Sequence, residues 1–94
     1  MAKTSIVQTG ERQCYLCGKR TCLEKHHIMA GVANRKISEA YGIWIYLCDS
    51  CHRGTEGAQY NKETNIKLKQ EAQQAFEAIH GHEKWMALFR KNYL

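Results

Sequence analysis

Cys48-Asp49-Ser50-Cys51-His52 joins half of a metal knuckle directly to a third candidate ligand, and the rest of the chain can be read outward from it. An earlier pair, Cys14-Tyr15-Leu16-Cys17, supplies the other half. Structural zinc is almost always tetrahedral, and thiolates from two Cys-x-x-Cys turns separated by a folded excursion meet that geometry with little strain. Cys14, Cys17, Cys48 and Cys51 are therefore expected to hold a structural zinc ion, and Gly18 gives the first turn a permissive backbone. Chance pairing, a redox Cys-x-x-Cys and a disulfide set are the competing readings. The fifth cysteine, Cys22, is read as a small half-buried residue beside the first knuckle.

The chain has 94 residues, which suits one domain. A domain of this size buries only about 60–65 % of the surface its unfolded chain exposes, so a metal would add needed stability. No signal peptide or membrane span is legible, so a cytoplasmic protein without a membrane partner is expected. Disulfides are disfavoured in that compartment, and an odd count of five cysteines agrees with metal binding. The formal charge of +5 and pI near 9.0 favour a polyanionic partner, nucleic acid first.

Residues 1–12 are polar and lack periodicity, so they are expected to form a flexible arm ahead of a single domain over 13–94. Within that domain the zinc-bound core is assigned to 13–57 and a helical cover to 61–94. Leu23 to Ile28 reads as a short strand ending on His26-His27, and Met29 to Asn34 as a loop. A helical turn is expected over Ile37 to Tyr41, then a β-branched and aromatic strand over Ile43 to Leu47 that delivers the chain to Cys48. A short helix should follow from Asp49 to Glu56. Asn61 is a suitable N-cap for a longer helix to about His80, with Leu68, Ala72, Ala75, Phe76 and Ile79 at helical spacing and Gly81 at its end. Trp85, Leu88 and Phe89 mark a last amphipathic segment.

Adjacent residues on a strand point to opposite faces, so His26 and His27 can serve two purposes, one binding a metal and the other facing substrate. With Cys-x-x-Cys first, His-His on a strand, and then Leu-Cys-x-x-Cys-His entering a helix, residues 13–57 resemble the HNH branch of the ββα-metal endonucleases. The layout is also similar to that of short HNH proteins carried by bacteriophages and prophages. The resemblance implies a small α+β fold, a zinc-stabilised ββα-metal finger of treble-clef type followed by C-terminal helices. It further implies that His26 and His52 bind a catalytic divalent metal and that His27 is the general base. The family's central asparagine has no counterpart near Gly42 or Ile43, and Asn34 falls earlier than the family pattern. Glu56, four residues after His52, would share its helix face as a third ligand, ahead of Gln59.

The resemblance thus implies a DNA endonuclease that hydrolyses phosphodiester bonds. Such chemistry needs a water deprotonated in line with the leaving oxygen, and an imidazole, with an ordinary pKa of roughly 6.5, can accept that proton. A divalent ion on imidazoles would offset the transition-state charge, and Mg²⁺, Mn²⁺, Ni²⁺ or Zn²⁺ are all candidates. Lys25, Arg35, Lys36 and Arg53 are expected to contact phosphates, with Lys19 and Arg20 nearby. One such unit cuts one strand, so cutting both would require a homodimer or a partner, and the phage layout implies recombination or packaging partners. The alternative is a catalytically silent treble-clef zinc module that binds nucleic acid or a protein.

Overall fold

A computed structural model describes residues 4–29, 31–53 and 61–94. The chain forms a small α+β arrangement in the order β1 (Leu23–His27), α1 (Val32–Tyr41), β2 (Trp44–Cys48), α2 (Asp49–Arg53), α3 (Lys62–His80) and α4 (His82–Phe89). The two strands pair antiparallel, with Leu23 opposite Cys48 and His27 opposite Trp44. His26 and Glu24 thus share one face of the sheet with Ile45 and Leu47, while His27 and Lys25 share the other with Trp44 and Tyr46.

Strand β2 is buried at four of its five positions. Ile45 and Leu47 are fully covered and join Ile28, Met29, Ile43, Leu68, Ala72, Phe76 and Trp85 in one hydrophobic cluster that also takes in Cys14 and Cys48. Trp44 is covered as well, and Lys25 places its ammonium 4.2 Å from that ring's centre. The outer edge of β2 is closed by the segment read from sequence as a loose arm. The Ile6 N–H donates to Gly42 O at 2.9 Å, the Ser5 hydroxyl donates to Trp44 O, and Gln8 Oε1 accepts from the Tyr46 N–H at 2.7 Å. Side chains of Ser5 and Gln8 thus stand in for the missing third strand, a role that composition does not reveal.

Helix α1 occupies much of the stretch expected as a loop and a single turn. It starts at Gly31, whose φ of 105° suits glycine, and the Arg35 N–H donates to Gly31 O at 2.8 Å. Ser38 is its one fully buried residue, so there was almost no apolar stripe for a periodicity argument to find. Strand β1 ends at His27, one residue before the expected limit, and β2 is shifted one residue later, to Trp44–Cys48. The expected continuation of α2 to Glu56 lies outside the described residues.

Helix α3 begins where Asn61 Oδ1 accepts the Thr64 N–H at 2.9 Å, with Glu63 in its first turn and His80 in its last, both favourable to the helix dipole. Its inward stripe is Leu68, Ala72, Gln73 and Phe76. Ile79, expected among these, is 60 % exposed. Buried Gln73 fastens the C-terminal tail instead: Nε2 donates to Asn92 Oδ1 and Glu77 Oε2, each at 2.7 Å, and Oε1 accepts the Tyr93 N–H at 2.8 Å. Gly81, at φ 91°, turns α3 into α4, whose Trp85 packs against Phe76 and Phe89 with ring centroids 5.6 and 4.3 Å apart. Among the described residues, no helix is long and apolar enough to cross a membrane.

Candidate functional site

The first knuckle is shaped by two backbone bonds, the Gly18 N–H to Cys14 O at 2.8 Å and the Cys14 N–H to Lys19 O at 2.7 Å. The Tyr15 N–H donates to Tyr46 O at 2.8 Å and so fixes this turn to β2. Strand β2 ends on Cys48, and one turn of α2 places Cys51 beside it. The Sγ atoms of Cys14, Cys17, Cys48 and Cys51 all lie within 4.8 Å of one another, with Cys17 and Cys48 3.6 Å apart. A tetrahedron with Zn–S bonds of about 2.3 Å has edges of about 3.8 Å, so the set fits zinc. Cys22 is exposed and outside this group.

The electrostatics of the cluster point the same way. Burial alone would raise the Cys14 thiol, but backbone N–H groups of Cys48, Cys17 and Leu16 outweigh it and bring its pKa down to about 6. Burial, then its hydrogen bonds to Cys14, Cys48 and Cys17, push Cys51 well up. Four sulfurs this close cannot all ionise without a cation between them, and a divalent ion lets them do so.

The three histidines divide as the strand geometry requires. His26 points to the α2 side, where its ring centroid lies 5.0 Å from that of His52 at an interplanar angle of 67°. His26 Nε2 is buried and has no hydrogen-bond partner among the described residues. Burial, followed by the nearby His52 and His27, lowers its pKa to about 4, so it is neutral and holds a free lone pair at pH 7. His52 Nδ1 lies 3.1 Å from Glu24 Oε1, which orients the ring and leaves Nε2 as its second nitrogen. On the opposite face, His27 Nε2 is 2.6 Å from Glu39 Oε1 of α1. The His27 contact, and then Lys25, hold the Glu39 carboxyl below its ordinary range.

Sequence reasoning found the histidines and missed both carboxylates. Glu24 was accessible in principle, since it lies two residues before His26 and so on the same strand face. Glu39 was not, because its role depends on a helix that carries no clear sequence signal. Lys25, expected to contact phosphate, lies 3.4 Å from both Glu39 oxygens and caps Trp44. Arg35 and Lys36 are exposed on α1. The Arg53 side chain, Glu56 and Gln59 lie outside the described residues.

What the arrangement can do chemically follows from its parts: four sulfurs that can hold a zinc ion, two imidazoles that converge on one side of β1, and a third imidazole tied to a carboxylate on the other. No protein family, curated protein or solved structure matches the chain.

Proposed function

We propose that this chain is a metal-dependent DNA endonuclease of HNH type, built on a treble-clef zinc finger, which hydrolyses phosphodiester bonds. The observation that carries this reading is the convergence of His26 and His52, with a His26 Nε2 that is buried and has no hydrogen-bond partner among the described residues. An apolar or solvated role would leave both the orphaned ring nitrogen and two imidazoles at this separation unexplained. His26 and His52 would hold the divalent ion, with Glu56 as the third ligand. When bound, the ion would supply Lewis-acid charge to the phosphate and the leaving oxygen.

The protein's own share of the chemistry lies mainly with His27. A neutral imidazole has one N–H and one lone pair, and Nε2–H donating to Glu39 leaves the lone pair on Nδ1. Nδ1 takes the proton from the attacking water. The ring becomes an imidazolium whose charge the Glu39 carboxylate compensates. Glu24 holds the His52 ring through Nδ1 and leaves Nε2 to act as a ligand, and the cysteine cluster anchors α2 and the end of β2.

The test is nicking of supercoiled plasmid with Mg²⁺, Mn²⁺, Ni²⁺ or Zn²⁺, comparing wild type with His27→Ala. His27→Ala is expected to retain zinc and fold while losing at least a hundredfold in rate, the usual scale for a general base. Equal rates would remove His27 from the mechanism. No cleavage of any DNA by wild type, with one tightly bound metal per chain, would instead favour a silent zinc module.

A further inference from the structure

A cleft of about 390 Å³ lies between the N-terminal segment and β2, on the side of the sheet that carries His27. Its floor is formed by Trp44 and Tyr46, and Thr4, Thr9, Glu11 and Arg12 bring polar groups to its walls. Trp44 and Tyr46 turn their backbone polar groups outward to Ser5, Gln8 and Tyr15. They therefore form the non-hydrogen-bonded pairs with His27 and Lys25, the closer of the two antiparallel pair types, with Cα atoms about 4.5 Å apart. The cleft floor and the proposed base are thus direct cross-strand neighbours.

Arg12 is the exposed plate of this cleft. Its guanidinium carbon lies 4.8 Å from the centre of the Tyr46 ring, so the cation is backed by an aromatic ring. An exposed guanidinium held there supplies a planar cation on which a base can stack, as unpaired bases do on arginine planes and aromatic rings. Phosphate is the poorer fit, because Glu11 also lines the cleft and pairs with Arg20. A carboxylate and hydroxyls beside a stacking plate suit the amino and carbonyl edges of a nucleobase.

We infer that this cleft holds an unpaired nucleobase of the strand whose phosphate reaches His27, so that the preferred substrate is DNA with an unpaired segment at the cut. The inference rests on the proposed action on DNA, and it concerns which form of DNA is selected. A base in a continuous duplex is stacked and paired, and cannot enter a cleft of this shape without being extruded.

The experiment measures binding of a labelled short oligothymidylate and of a labelled duplex, by fluorescence anisotropy, in a His27→Ala background that cannot cleave. Arg12→Lys keeps the charge and removes the plane. It is expected to weaken single-strand binding roughly tenfold, the scale of one lost stack, and to leave duplex binding within about twofold. Gly10→Leu supplies an independent obstruction at the rim, where a Cβ meets nothing within 4 Å, and should act in the same direction. If both variants leave single-strand affinity unchanged, or weaken duplex binding equally, the cleft does not hold a base. Cleavage is a separate readout: a wild-type protein that never cuts but selects unpaired strands would sink the hydrolysis and keep the cleft, and the converse result would do the reverse.

Discussion

His27 on β1 and Glu39 on α1 face each other across 2.6 Å, the last residue of one element fixed by the eighth residue of the next. This contact makes α1 part of the proposed site. Glu39→Ala is expected to lower kcat by roughly 10- to 100-fold with KM little changed, as for carboxylates that orient a working imidazole. Glu39→Gln keeps an acceptor and should recover part of the loss. Steady-state kinetics on both variants, with zinc content as a control, separate positioning from folding.

Removing one cysteine should have a different signature. Cys51→Ala is expected to abolish stoichiometric zinc and unfold the domain, because a structural zinc site is worth about 10–16 kcal/mol in finger peptides against a usual domain stability of about 5–15 kcal/mol. Metal analysis and far-UV circular dichroism check this, and a strong chelator should reproduce the effect on wild type.

The half-buried His26 predicts a pH dependence with a definite sign. Its pKa is about 4 in the fold and roughly 6.5 in an unfolded chain, so between these values the unfolded state binds more protons. Stability contributed by neutral His26 is fully present above about pH 6.5 and is lost as pH falls toward 4, on the order of 2 kcal/mol once partial exposure is allowed for. His26→Ala should flatten the urea-unfolding profile across that window relative to wild type. Identical slopes for the two proteins would contradict the assignment.

Gln73 is a buried amide whose three bonds hold Asn92, Tyr93 and Glu77 in place. Gln73→Ala leaves the Tyr93 N–H without its acceptor and opens a cavity, and should cost about 2–3 kcal/mol. Urea denaturation measures the loss, which should be accompanied by faster proteolysis at the C-terminus.

How far the molecule could be read from its sequence depended on the range of each signal. The two knuckles, both strands, the Asn61 cap and the Gly81 break are written in residues a few positions apart, and the structure places them within a residue or so of expectation. The convergence of His26 with His52 needed the antiparallel register, which alternation on β1 suggested but could not fix. Helix α1 buries little besides Ser38, so it left no periodic trace, and its partner to His27 stayed invisible with it. Ser5 and Gln8 look like ordinary polar residues until β2 supplies the backbone groups they bind.

That last arrangement bears on how the protein keeps to itself. A two-stranded sheet has two open edges, and an unpaired strand edge is a template for another chain. Here Ser5, Ile6 and Gln8 cover the β2 edge as a surrogate for a third strand. Deleting residues 1–8 would free the Trp44 carbonyl and the Tyr46 amide together with two aromatic rings, and would turn a sealed flank into an adhesive one for strand-to-strand self-association.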